Sequence, residues 1–190
     1  MDKLSLHSAN LVGRFIGDRR ANAAIEFAFI VPLMLALFFG MVEFSSGVAA
    51  SRKVTLVART MSDLVSQSSS VTDNDITNFN TTGKAIMNPF SLTSLNTRVT
   101  EIYVDPATLN GKVIWSKGSG MADRVANSSI NLPTALQIGG TYLIYSEVSY
   151  KYVPAVGYMM AKAGVSLSDQ TYTRPRISLC VLYNASVCGT

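Results

Sequence analysis

Two carboxylates and two thiols are the side chains whose placement in this sequence suggests chemistry. Glu26 opens a long apolar run and Glu43 closes it, while Cys180 and Cys188 are the only cysteines and lie near the C-terminus. An ionisable group at membrane depth is costly and is usually paired or functional. Glu43, at the far end of the run, can sit at an interface and reach water. Glu26 is different, because Ala23, Ala24 and Ile25 precede it and three more apolar residues follow at once. The cysteines admit two readings: two unrelated buried thiols, or a short disulfide loop closed in an oxidising compartment. The membrane segment described below favours the disulfide. A structural zinc site wants four ligands, and the single histidine, His7, stands at the opposite end of the chain. No metal site is expected.

Nothing else in the sequence assembles into catalysis. The C-terminal part has no histidine, which removes the commonest general base. Asp105 and Asp123 sit in turn-like contexts where capping explains them. Gly118-Ser119-Gly120 and Gly139-Gly140 are loop glycines without a phosphate-binding pattern. Arg174 and Arg176, at alternate positions of an expected strand, read as surface or edge-protecting charges. The chain reads as a non-enzyme without a cofactor. Charged residues make up 15% of it, against about a quarter in an average globular domain, so part of the chain is expected to lie outside water. The net charge of +4 comes from scattered Lys and Arg. A nucleic-acid binder concentrates its basic residues on one face or stripe, so nucleic acid is not an expected partner.

The element that positions the two glutamates is an apolar helix. From Phe27 to Val42 there are sixteen residues without a charge or a strongly polar side chain, and only Glu43 adds a charge before Ala50 is passed. A bilayer core needs about 20 such residues in a helix. Pro32 is tolerated in that setting, where neighbours can re-satisfy the freed carbonyl. In a continuous helix Glu26 and Glu43 are about 25 Å apart, close to the hydrocarbon thickness. A core helix of a soluble protein would show a polar face. Val48-Ala49-Ala50 before Ser51 resembles a secretory cleavage site, but flanking glutamates and a long preceding region do not suit a signal peptide. Lys3, Arg14, Arg19 and Arg20 precede the run, and Arg52, Lys53 and Arg59 follow it. The positive-inside bias therefore favours a cytoplasmic N-terminus only slightly. The cysteines and the polar, aromatic C-terminal part point the same way.

Beyond the membrane, Val54, Val57, Ala58, Met61, Leu64 and Val65 recur at helical spacing. The pattern predicts one helix from about Asn22 to Gln67, about 70 Å long; the alternative is two helices hinged near Ser45-Ser46-Gly47. Thr72-Asp73 caps a second helix, with Asp75 completing the box, Ile76, Phe79, Ala85 and Ile86 facing inward, and Asn88-Pro89 ending it. Strands are expected at Arg98–Val104, Lys112–Ser116, Thr141–Val153 and Thr171–Leu182, with turns at Asp105-Pro106 and Asn110-Gly111 and an edge or bulge at Pro175. One face of Thr141–Val153 carries Tyr142, Ile144, Val148, Tyr150 and Tyr152, and the other Glu147, Ser149 and Lys151. The fold class is α+β: a long N-terminal transmembrane helix that extends into a small extracytoplasmic head with an antiparallel sheet. The expected divisions are a cytoplasmic leader over 1–21, the long helix over 22–67 and the head over 68–190.

The string AAIEFAFIVPLMLALFFGMVEF resembles the N-terminal signature of TadE-like (TadE/TadG-type) proteins of the Tad, or tight-adherence, pilus system. That signature has small residues, an apolar residue, Glu-Phe (here Glu26-Phe27), a Pro a few residues on (Pro32), and a closing Glu-Phe after Gly (Gly40, Glu43-Phe44). The hairpin, Trp115, the long Tyr-rich strand and Arg174-Pro175-Arg176 also look like the C-terminal region of such proteins. The resemblance implies a pilin-like layout and a minor pilin or pseudopilin role in a type IVc-like pilus, supporting pilus assembly and surface adhesion. It implies that a prepilin peptidase cuts five residues before the Glu, after Ala21, so that Asn22 becomes the first residue. Ala21 departs from the Gly usual at that position. It implies further that Glu26 pairs with the freed N-terminal amine of a neighbouring subunit. The implied partners are other pilin or pseudopilin subunits, the peptidase, the inner-membrane assembly platform and the lipid bilayer. The implied location is a bacterial inner membrane, single-pass, with the C-terminal domain periplasmic. Two other readings stand beside it: an uncleaved membrane-anchored interaction module of the pilus machinery, and a soluble domain released after Ala50.

Overall fold

The computed structural model describes residues 19–154, 164–184 and 187–189, with side chains from residue 23 onward. Helix α1 runs Arg19–Ser66 without a break at Ser45-Ser46-Gly47. The chain divides into two compact units, one ending at Ser45 and the other Ser46–Thr190. The second unit contains somewhat under half of α1, a second helix and, among the described residues, all the strands.

In that unit α1 behaves as its periodicity dictates. Ala50, Val54, Val57, Ala58, Met61 and Val65 are buried and form a continuous apolar stripe, with Leu64 half-buried at its margin. After β1 (Ser70–Val71) comes α2 (Asp73–Met87), whose N-cap is Thr72. The Thr72 side chain accepts from the Asp75 N–H, and the Asp75 carboxylate accepts from the Thr72 N–H at 2.9 Å. This reciprocal box satisfies two donors that the first turn leaves open. Ile76 and Met87 are buried, and Phe79 and Ile86 pack partly against the core. Ala85, expected to face inward, is exposed. The inward position belongs to Gly83 instead, where a Cβ would stand 3.1 Å from Val57 Cγ1. The Thr81-Thr82-Gly83 stretch, poor in helix formers, stays helical because its glycine lets the two helices approach closely. At the other end of α2, Lys53 Nζ donates to the carbonyls of Ile86 and Asn88, at 2.7 and 2.8 Å, which satisfies terminal carbonyls with a cation.

The main sheet has the order β4-β3-β2-β5-β6 and is antiparallel throughout. Its strands are β2 (Leu95–Val104), β3 (Gly111–Ser119), β4 (Ser129–Ile130), β5 (Tyr142–Tyr152) and β6 (Val165–Thr173). The expected central strands are present: β2 and β3 run longer than the sequence suggested, and β5 is one residue shorter at each end. One sheet face, with Leu95, Val99, Trp115, Ile144, Val148, Tyr150 and Tyr152, packs with α1 and α2 in one core. The other face is also covered. Ile102, Val104, Leu143 and Tyr145 form a second cluster with Leu132, flanked by Ile130, Leu136 and Tyr172. β5 is therefore buried on both faces over its first half, not on one face alone.

The last expected strand needs correcting. Residues 171–182 are not one strand: β6 starts earlier, at Val165, and ends at Thr173, just before Arg174-Pro175. Proline has no N–H to donate to a ladder. The chain then runs irregularly to β7 (Leu182–Tyr183), which pairs in parallel with β1, Ser70 opposite Leu182 and Val71 opposite Tyr183. Arg174 and Arg176 thus lie on this connecting strap and not on a strand. Arg176 Nη2 stands 2.7 Å from Asp63 Oδ1, an exposed pair of the kind that contributes little to stability.

Candidate functional site

Between Ile25 and Phe44 no side chain of α1 is buried. Phe29 is 78% exposed and Met41 77%. A helical run that is apolar all round, with none of its described side chains buried, matches a hydrocarbon surrounding and not water. Among the described residues it is the one helix long and apolar enough to cross a membrane.

Glu26 stands exposed near the start of this helix, and Glu43 is half-exposed near the end of the first unit. Seventeen positions place them about 25 Å apart along the axis and about 100° apart around it. The two carboxylates therefore do not converge on one site. Pro32 lies inside the helix, so the Ala28 carbonyl lacks the N–H it would receive four residues on. At Gly40 a Cβ would meet nothing within 4 Å. With Ala36 one turn earlier, Gly40 leaves a shallow notch of the kind at which membrane helices approach closely. Of the expected cleavage position, Ala21 and Asn22 lie within the helical backbone while their side chains fall outside the described residues, as do residues 1–18 of the expected leader over 1–21.

The second unit holds the disulfide that the sequence favoured and, around it, features that the sequence reading missed. Cys180 and Cys188 form a disulfide, with Cα atoms 5.9 Å apart. The strap it belongs to is fastened through Val181, whose peptide groups are both taken by side chains. Glu101 Oε1 accepts the Val181 N–H at 2.6 Å, and Trp115 Nε1 donates to the Val181 carbonyl at 2.8 Å. The Trp115 ring stacks on Tyr183 at 5.5 Å, and the Tyr183 hydroxyl donates to Asp73. Glu101 is 1% exposed. Burial pushes its carboxyl up to about 7, although the Val181 N–H and Trp115 favour the charged form. One signal could have marked it: in β2 the residues that alternate with it, Leu95, Thr97 and Val99, are all buried on the helix side, so an acid in that phase had to be buried.

On the opposite sheet face Glu147 receives Arg98 at 2.8 and 2.9 Å and Arg124 at 2.8 and 3.2 Å. Burial raises the Glu147 pKa, and the two guanidinium groups more than offset it, holding the carboxyl below its usual range. Arg124 also lies over the Tyr145 ring at 5.6 Å. Asp105 Oδ1 accepts from the Ala107 and Thr108 N–H groups, and Asp123 Oδ1 from Gly118 N–H, so both serve turns. Among the described residues no three of His, Cys, Asp and Glu converge as metal ligands would. The head chemistry is that of clamps and pairs, and the functional geometry lies in the anchor helix.

No curated protein and no solved structure matches the chain. The family described as TadE-like protein does, through its sequence model, over residues 22–61. That span opens at the expected first residue, takes in Glu26, Pro32, Gly40 and Glu43, and ends at Met61 of the buried stripe. Helix α1 thus carries a segment similar to the TadE-like proteins, confined to residues 22–61.

Proposed function

We propose that this protein is a minor pilin or pseudopilin-like structural subunit of a Tad pilus, supporting assembly and surface adhesion. One observation carries the reading: a carboxylate, Glu26, at the head of an apolar helical run, residues 23–44, without a buried side chain, in a span that matches the TadE-like family. Each charge of a Glu–amine pair is costly alone in the bilayer, and docking two subunits neutralises both. The amine is that of Asn22, freed by a prepilin peptidase cutting after Ala21. Residues 1–21 are then a cytoplasmic leader, residues 22–67 the pilin-like helix and residues 68–190 a periplasmic head. The disulfide supports an oxidising compartment for the head. The Ala36–Gly40 notch supports contact with other subunits or with the assembly platform in the inner membrane.

A second reading is favoured by Ala21 standing where a Gly is usual. There the leader stays on, and the chain is a permanent inner-membrane module that binds the pilus machinery. Release after Ala50 has less support, because Ala50 is fully buried in the core of the second unit.

The test is Glu26→Gln in the native host. The expected outcome is normal membrane insertion with loss of piliation. Normal piliation in that variant would overturn the assembly role of Glu26.

A further inference from the structure

The second unit has a recognisable end at which the chain enters it. Gly47 follows the apolar run by three residues, and the Tyr152 ring lies 3.6 Å from where a Cβ on Gly47 would stand. The C-terminal end of β5 and the start of β6 therefore lie beside the entry point, since Tyr152 pairs with Val165. The loop before β2 joins them there: Phe90 meets the Tyr152 ring edge-on at 6.0 Å, and Ser94 Oγ donates to the Lys151 carbonyl at 3.0 Å.

This end carries apolar side chains that the head leaves uncovered. Leu92 is 42% exposed, Val153 43% and Val165 54%. Lys151 precedes Val153 by two residues at the end of β5, and Arg52 is exposed on α1 five residues after Gly47. Of the acids on the two neighbouring helices, Glu43 lies four residues before Gly47, whereas Asp63 is near the far end of α1, and Asp73 and Asp75 are in the first turn of α2, whose other end meets Lys53. Apolar tips accompanied by exposed Arg52 and Lys151 match an anionic lipid surface, where apolar side chains seat at the headgroup boundary and Lys or Arg engage the headgroups.

We propose that this end of the second unit is a lipid-contacting face, with Leu92, Val153 and Val165 seated in the headgroup region and Arg52 and Lys151 on anionic headgroups. It rests on the reading of residues 23–44 as the membrane anchor. The bilayer is then a partner of the head as well as of the anchor. Chain continuity supports this occupant, because the apolar run that the membrane takes ends three residues before Gly47.

The full chain, with its native disulfide intact, is reconstituted in nanodiscs containing anionic lipid. Single cysteines at Leu37→Cys, Leu92→Cys, Val165→Cys or Ala107→Cys carry an environment-sensitive fluorophore, and nitroxide-bearing lipids serve as quenchers. Ala107 is exposed in the β2–β3 turn, at the other end of the sheet. The expected result is quenching at 37, 92 and 165 and none at 107. Quenching at 92 and 165 should fall severalfold in purely zwitterionic lipid, and likewise with Arg52→Glu plus Lys151→Glu in anionic lipid. Labels at 92 and 165 that behave like the one at 107, while 37 is quenched, overturn the lipid-contacting face and leave the anchor standing. Labels at 92 and 165 that leave water without being quenched by lipid also overturn it, pointing to a protein on that face. Absence of quenching at 37 removes the anchor reading and this inference with it.

Discussion

The buried Glu101 gives the head an uncommon response to pH. Its carboxyl is raised from an ordinary 4.5 to about 7 by burial. The folded state therefore holds this proton more tightly than the unfolded chain does. Stability from this group is complete below about pH 4.5 and is lost as pH rises through about 7. At about 1.36 kcal/mol per tenfold change in proton affinity, the difference is on the order of 3 kcal/mol. For a head of this size that is a melting shift of roughly 10 °C. Glu147, Asp73 and Asp75 have carboxyls held low, so their contributions are lost only as pH falls below the ordinary carboxylate range. Between pH 5 and 8 they leave the Glu101 slope uncovered. The perturbation is Glu101→Gln, which keeps a carbonyl to accept the Val181 N–H and removes the charge. Trp115, in β3, donates to the strap that Glu101 holds and is the chain's single tryptophan, so its fluorescence reports unfolding of the head when the full chain is kept in detergent. Wild type should melt higher at pH 5.5 than at pH 8, and the variant should be flat and match acidic wild type. A wild-type melting point unchanged across that window, or a variant that keeps the wild-type slope, refutes the reasoning.

Three further outcomes are expected. Replacing Cys180 and Cys188 by Ser opens a loop spanning a sequence separation of 8, and should cost roughly 2.5 kcal/mol in urea unfolding on the chain-entropy relation; reductant should destabilise wild type by as much and the variant not at all. Gly83→Val places branched carbon against Val57, 3.1 Å from the nearest methyl, and should cost about 1–3 kcal/mol by overpacking, whereas Lys84→Ala on the exposed face should cost under about 0.5 kcal/mol. Gly40→Leu fills the notch on α1 without touching anything in its own chain; insertion should be unchanged and cross-linking between subunits in the membrane should fall, read by alkaline extraction and by cross-link yield.

What the sequence revealed depended on how local the deciding physics was. The stripe from Val54 to Val65 and the Thr72 cap were legible because each is settled within one or two helical turns. The strand cores of β2, β3 and β5 were legible because β-branched and aromatic residues lie between clear turns. The end of the chain was not: Thr171–Leu182 looked like one β-rich run, but Pro175 divides it, and β7 exists only because Ser70-Val71 offers a parallel partner. Gly83 gave no sign of facing the core, because its reason, Val57 on another helix, is remote in sequence. Leu143 and Tyr145 were not assigned to a core, since the cover of that face comes from residues 130–136. The same division applies to the functional residues. Glu26 stands out against an apolar run by itself, whereas the burial of Glu101 is decided by a strap 80 residues away.

The account turns on whether the anchor is processed as a pilin. The most direct measurement is the N-terminal residue and intact mass of the protein extracted from membranes of its native host. A chain that begins at Asn22 is predicted, with Glu26 as the fifth residue of the mature subunit. A chain that begins at Met1 contradicts it, and makes the protein a permanent membrane module of the pilus machinery.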